Sequence, residues 1–292
     1  VNTFPYSESW ETVGSFGSWT NVTTDTEDWV NSTGSTGSSS TGPTSASDGS
    51  RYLYVEASGA SAGDQAFLEN TFDISSLVDP ELKFDYHMYF GGSPDGGRLA
   101  VDVSTDGGNS WCNIWAREGD QGTAWITDEI VSLKGYGFGT IMVRFNFIVG
   151  TNTSFQNDAA IDDFEMRSAV NAPTCPKPIC LQVSNVTADS ATVGWLSPPL
   201  ANNGFEVIYD TAGFNPATSG NSSTVNNDSI VLTGLNGATL YEVYVISDCG
   251  MANGISDTTG PLNFRTLCVP FTAPFSENFD GVSEPAIPSC FS

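Results

Sequence analysis

The chain has 292 residues, of which 39% are hydrophobic and 12% aromatic, enough apolar material for about two globular domains. Its formal net charge is −25, so it would be repelled by a polyanion; this excludes nucleic acid as a partner and disfavours an anionic membrane surface. No apolar stretch approaches the roughly 20 residues that cross a bilayer, so we expect no membrane insertion.

Short stretches of alternating apolar and polar residues recur along the whole chain, whereas no segment keeps helical spacing for three turns. Each stretch is bounded by Gly, Asn, Asp or Pro, which is typical of half-buried antiparallel strands. In chain order these stretches begin at Tyr52, Leu82, Arg98, Ile141, Ala191, Phe205 and Tyr241. The pattern predicts an all-β protein.

Composition also predicts where the strands are interrupted. The Ser/Thr/Gly-rich segment Asn31–Ser50 is typical of a long surface loop. Prolines cluster near residues 169–178, and a second break falls near 267–274, after which the tail repeats part of the N-terminal pattern. We therefore predict a first domain over 1–168, a linker over 169–174, a second domain over 175–267, and the start of a truncated third domain over 268–292.

Residues 1–168 resemble a MAM domain, the extracellular module of meprin-type proteases, neuropilins and receptor phosphatases. The matching pieces include Glu11 with Trp19, Asp28-Trp29, Thr41-Gly-Pro-Thr followed by Asp48, Tyr86-His-Met, Val143-Arg-Phe and Ala160-Ile-Asp-Asp-Phe. The resemblance implies a jelly-roll β-sandwich. The cysteine pattern of animal MAM domains is missing, and the sequence is more similar to the MAM-like modules of secreted Bacteroidetes-like multidomain proteins.

Residues 175–267 resemble a fibronectin type III domain. The matching features are Trp195, the strand that starts at Phe205, and the segment Leu235–Tyr241. The resemblance implies a second β-sandwich, in which Tyr241 is the corner tyrosine that bonds back to the main chain.

Catalytic chemistry finds little support in the sequence. His87 is the single histidine and lies in a strand pattern without a nucleophile placed beside it, so we interpret it as structural. Paired carboxylates arise by chance among 34 acidic residues, and no spacing singles out one pair. We predict that the chain is not an enzyme.

A structural calcium ion is the sharpest site prediction. The family resemblance implies a metal near Glu11, Asp48 and the adjacent pair Asp162 and Asp163, because a jelly roll places its first and last strands side by side. Calcium prefers such oxygen ligands, and the long loop needs something to order it. The alternative is that Asp162 and Asp163 end a strand as solvated charges.

Sugar binding requires an exposed aromatic ring beside polar groups. Trp10, Trp111 and Trp115 are the candidates, since the other tryptophans match family core positions. Core or half-buried positions are favoured over this role for each of them.

The six cysteines favour disulfides over a zinc site. The fibronectin resemblance implies that Cys249 pairs with Cys175 or Cys180 and that Cys268 pairs with Cys290, leaving Cys112 as a buried free thiol. Three Asp-Ser/Thr motifs, at Ser190, Ser229 and Thr258, resemble O-glycosylation acceptors of Bacteroidetes, although chance explains each equally well.

Taken with the resemblances, these features favour a non-catalytic adhesion or binding segment of a secreted or cell-surface protein. Its partners would be an extracellular protein or polysaccharide, with possible contacts between repeats of a longer array. The alternative is the carbohydrate-binding accessory region of a secreted polysaccharide-degrading enzyme or protease.

Overall fold

The computed structural model describes residues 3–134, 136, 139–152, 154–198 and 200–269. The chain divides into two compact units, Val1–Pro173 and Thr174–Ser292. The predicted third domain lies outside the described residues from position 270 onward. In the described part the secondary structure is β, apart from a 3-10 turn at Ser154–Gln156, and no helix there is long and apolar enough to cross a membrane.

The first unit contains eleven strands in the described residues: β1 (Tyr6–Glu8), β2 (Thr20–Asn21), β3 (Trp29–Ser32), β4 (Tyr52–Val55), β5 (Gln65–Asp73), β6 (Pro80–Met88), β7 (Arg98–Ser104), β8 (Cys112–Glu118), β9 (Ile126–Ser132), β10 (Thr140–Ile148) and β11 (Ala159–Ser168). One sheet has the order β3-β4-β11-β6-β9, with β1 also paired to β11, and the other has the order β2-β5-β10-β7-β8. All pairings are antiparallel, which gives the predicted jelly-roll sandwich.

The aromatic core lies between these two sheets because alternate side chains of each strand point inward. Phe145 of β10 and Phe84 of β6 meet across the sandwich with ring centroids 5.1 Å apart. Phe164 of β11 packs edge-on against Trp19 at 4.8 Å. Each of these rings is buried, so the core alone accounts for much of the domain's hydrophobic stabilisation.

The outer face of the six-stranded sheet is covered as well. The loop between β3 and β4, residues 33–51, folds over it and is called the covering loop below. Tyr52, Tyr54 and Ala160 form a small cluster there, against which Ala46 and Trp125 pack. As a result the polar side chains on the outer face of β6, among them Asp85 and His87, are buried.

The second unit contains seven strands in the described residues: β12 (Ile179–Ser184), β13 (Ser190–Leu196), β14 (Phe205–Thr211), β15 (Asn221–Val225), β16 (Ser229–Thr233), β17 (Leu240–Ser247) and β18 (Thr259–Arg265). They form a three-stranded sheet, β12-β13-β16, and a four-stranded sheet, β15-β14-β17-β18. This antiparallel three-plus-four order is that of a fibronectin type III sandwich, as predicted.

The core of the second unit contains Trp195 and Phe205, whose ring centroids lie 5.2 Å apart. The hydroxyl of Tyr241 accepts a hydrogen bond from the Asn236 amide at 2.9 Å. The prediction of a corner tyrosine is confirmed.

Candidate functional site

The turn at residues 47–51 of the covering loop is held by two of the predicted metal ligands. Glu11 accepts hydrogen bonds from the amides of Ser50 and Arg51 and from the Ser50 hydroxyl, at 2.8–3.1 Å. Asp162 Oδ2 accepts from the amides of Ser47 and Asp48, both at 2.9 Å. Glu11, Asp48 and Asp162 therefore converge on one turn, as the strand order of a jelly roll requires.

Asp162 is fully buried, and its second oxygen, Oδ1, accepts from the Asp163 amide at 2.9 Å. Burial raises the pKa of Asp162 to about 7, with the Asp48 charge adding to the rise, although the three amides favour the charged form. Asp85, its direct cross-strand neighbour on β6, accepts from the Ser47 hydroxyl at 2.5 Å and from the Asp128 amide at 2.8 Å. We call this arrangement around Asp162 and Asp85 the carboxylate clasp.

The sequence analysis missed Asp85 and Ser47 as members of this arrangement. The sequence offered one signal for this arrangement, which is Asp85, a charged residue inside the largely apolar strand pattern Leu82–Met88. A carboxylate on a buried strand face needs hydrogen-bond donors nearby. The clasp connects the covering loop to β6, β9 and β11 and so helps to order this loop.

Asp163 points away from this turn. It lies at a β-bulge with a φ of +46°, and its carboxylate forms an ion pair with Lys83 at 2.6 Å. Lys83 also contacts Asp128 at 3.1 Å. Across the described residues, no three or more His, Cys, Asp or Glu side chains are grouped so that they could hold a metal ion. Calcium at the four predicted ligands stays a prediction.

Asp158, just before β11, is a further buried carboxylate that the sequence analysis did not select. Its Oδ1 accepts from the Ala57 amide at 3.2 Å, whereas Oδ2 has no hydrogen-bond partner among the described residues. Burial, together with the neighbouring charge of Glu56, raises the pKa of Asp158 to about 7, although the Ala57 amide and the Thr36 side chain favour the charged form. The amide of Asp158 donates to the buried hydroxyl of Thr41 at 3.1 Å.

His87 is 1% exposed beneath the covering loop. Its Nε2 lies 3.2 Å from the Thr123 carbonyl, and its ring packs against Trp125 at 5.5 Å. Burial lowers the pKa of His87, and the Thr123 carbonyl and the Asp120 charge oppose this only in part. These contacts support the interpretation of His87 as a structural residue. Its Nδ1 atom, however, has no hydrogen-bond partner among the described residues.

Two of the three candidate sugar-binding tryptophans are core residues. Trp10 and Trp115 are 1% and 6% exposed, so the prediction that they form an exposed platform is wrong. Trp115 faces inward on β8, where it packs against Phe84 at 5.0 Å.

Trp111 is half-buried, and the Arg144 guanidinium lies 4.0 Å from the centre of its ring. Arg144 also stacks on Phe67 at 4.3 Å and contacts Asp102 at 3.2 Å. Thus Trp111 is the one candidate that combines an accessible ring with polar neighbours.

Cys249 forms a disulfide with Cys175, the first of the two partners considered. Cys112, Cys180 and Cys268 are also disulfide-bonded. The prediction that Cys112 is a free, buried thiol is therefore wrong, because this residue is half-buried and disulfide-bonded. Folding brings the partner of a cysteine close, and the spacing of cysteines along the chain does not identify that partner. Cys290, the predicted partner of Cys268, lies outside the described residues.

The three predicted glycosylation positions lie in the second unit. Ser229 and Thr258 are exposed, whereas Ser190 is half-buried and bonded to the Thr187 hydroxyl at 2.7 Å. Modification at these positions stays a prediction.

Comparison with known proteins identifies one family. The sequence matches the family described as MAM domain, meprin/A5/mu, over residues 9–176. Among solved structures, the fn3 domain of human collagen alpha-1(XX) chain is 22% identical, with 34% of this chain and 90% of that one covered and a TM-score of 0.29. The FN5 domain of Drosophila Lar is 19% identical, with 31% and 94% covered and a TM-score of 0.26. On the family match, which spans more than half of its length, the chain belongs to the MAM domain family.

Proposed function

We propose that this chain is a non-catalytic, extracellular binding segment of a multidomain secreted or cell-surface protein. The observation that carries the proposal is the tandem itself, a MAM domain followed by a fibronectin-type sandwich. The disulfides are consistent with an oxidising compartment outside the cell. His87 also supports a non-catalytic role, since its ring is buried, contacts the Thr123 carbonyl and packs against Trp125.

The test is binding by the full chain immobilised on beads. Retention of extracellular matrix proteins, of a polysaccharide panel or of a second copy of the chain is the expected result. With a net charge of −25, a cationic partner should be released as salt is added, whereas an apolar contact should persist. Absence of retention in all three arms would overturn the proposal.

The alternative, a carbohydrate-binding accessory region, is favoured by Trp111 alone. Its half-buried ring offers a surface on which a sugar could stack, although Arg144 lies over the ring and Asp102 beside it is buried. Polysaccharide pull-down with wild type and Trp111→Ala tests this, using Trp195→Phe in the second unit as a control away from the ring. Equal retention by Trp111→Ala would argue against this alternative.

We also propose that calcium stabilises the first domain at the 47–51 turn, held by Glu11, Asp48 and Asp162. Their carboxylate chemistry suits the ion; Asp48 belongs to this turn, and Glu11 and Asp162 contact it. Against this, the amides of the turn already occupy Glu11 and Asp162, and Asp163 is paired with Lys83. Thermal unfolding with calcium or excess chelator is the test, and an unchanged melting temperature would contradict calcium binding.

A further inference from the structure

The starting observation is the unpaired oxygen of Asp158. This residue is fully buried, and its Oδ2 lacks a hydrogen-bond partner among the described residues. A carboxylate in this position carries a large desolvation cost unless a proton, a donor or a cation compensates it. The carboxylate clasp, by contrast, supplies Asp162 and Asp85 with donors on every oxygen.

The neighbours of Asp158 offer oxygen atoms and negative charge. Glu56 follows β4 and precedes Ala57, whose amide donates to Asp158, and its negative charge raises the pKa of Asp158. Glu56 Oε1 accepts from the Ser58 amide at 3.3 Å and from the Ser38 hydroxyl at 3.5 Å, whereas no hydrogen bond is found for its Oε2 among the described residues. The hydroxyl of Thr36 donates to the Thr41 carbonyl at 3.2 Å, and the Thr41 hydroxyl accepts from the Asp158 amide. Neither Asp158 nor Glu56 forms an ion pair with Lys or Arg among the described residues, although other acidic residues of the domain do.

We propose that Asp158 and Glu56 bind a hard cation, Ca²⁺ by ligand type, together with oxygens of Thr36 and Thr41. Two carboxylates with hydroxyl and carbonyl oxygens, completed by water, form the ligand mixture that calcium accepts. The covering loop comes close to Glu56, since a Cβ at Gly37 would lie 3.1 Å from its Oε2. A bound ion would therefore tie the first half of the covering loop to β4 and β11.

This site differs in every ligand from the set at the 47–51 turn. It is independent of the proposed binding function, and it would survive the failure of the calcium proposal at Glu11, Asp48 and Asp162. The cation would hold the first half of the covering loop, and the amide hydrogen bonds at the 47–51 turn would hold its second half.

Terbium luminescence on the full chain tests the site, because Tyr52 and Tyr54 lie beside Asp158 and can transfer excitation energy to a bound lanthanide. We expect saturable emission that Ca²⁺ displaces. Asp158→Asn and Glu56→Gln should each weaken terbium binding by about tenfold or more. Asp48→Asn, which removes an exposed member of the other set, is the matched control and should bind as wild type does.

Each other outcome contradicts the inference. Absence of saturable emission from wild type would mean that a proton or water satisfies Asp158. Loss of emission in Asp48→Asn with retention in Asp158→Asn would place the ion at the 47–51 turn instead, which would support the calcium proposal. Glu56 is half-buried, so Glu56→Gln should fold even if Asp158→Asn does not, and wild-type affinity in that variant would also overturn the site.

Discussion

Replacing Asp162 by alanine tests the carboxylate clasp directly. The substitution leaves three backbone amides, those of Ser47, Asp48 and Asp163, without their acceptor. Only the Ser47 and Asp48 amides belong to the covering loop, and a hydrogen bond to a charged group contributes about 1.5 kcal/mol or more. We therefore expect a loss of roughly 3 kcal/mol in the free energy of holding the covering loop in place.

Hydrogen exchange at the Ser47 and Asp48 amides is the assay, since 3 kcal/mol corresponds to roughly 100-fold faster exchange through local opening. Excess chelator removes any contribution from a bound ion. Asp163→Asn is the control: it breaks the ion pair with Lys83 and should cost at most about 1 kcal/mol, because asparagine tolerates the positive φ. Similar exchange in Asp162→Ala and Asp163→Asn would refute the reasoning.

Two further predictions concern other buried features. The pKa of His87 is lowered in the folded state, so protonation of His87 in the unfolded chain costs stability as the pH drops below about 6.5, the unfolded value. Asp158 and Asp162, whose pKa values are raised to about 7, act in the opposite direction, so only the difference between wild type and a variant isolates His87. In urea unfolding, His87→Gln should gain stability relative to wild type as the pH falls, and parallel curves would contradict this. Replacing Cys175 and Cys249 by serine removes a link between residues 74 positions apart, which should destabilise the second domain by about 4 kcal/mol. A shift of less than about 1 kcal/mol in its denaturant unfolding would argue against the loop-entropy estimate.

The strands and the two sandwich types could be predicted from the sequence because alternation of apolar residues is a local property. Tyr241 illustrates this, since the bond from its hydroxyl to Asn236 spans only five positions. The side-by-side placement of β1 and β11 could also be predicted, once the family resemblance supplied the strand order.

What could not be predicted depends on the covering loop. Asp85 and Asp162 are buried because this loop folds back on the sheet, and sequence gives no register for a 19-residue segment without strands. The same covering buries Asp158, which in sequence resembles an ordinary acidic residue before a strand. Trp10 is buried in the core at a φ of +52°, and backbone geometry of this kind is not visible in composition.

The disulfide between Cys175 and Cys249 changes how the second domain would respond to a pulling force. Tension that reaches the domain at Cys175 passes through the covalent link to Cys249 and bypasses β12 to β17. A stretched chain would otherwise gain about 3.4 Å for each residue drawn out, so the bond withholds roughly 250 Å of extension. β18 follows Cys249 and lies outside this link, and Cys180 and Cys268 carry further disulfides of their own. The segment between Cys175 and Cys249 would then act as a short inextensible spacer as long as its bond stays oxidised, and as an extensible one after reduction.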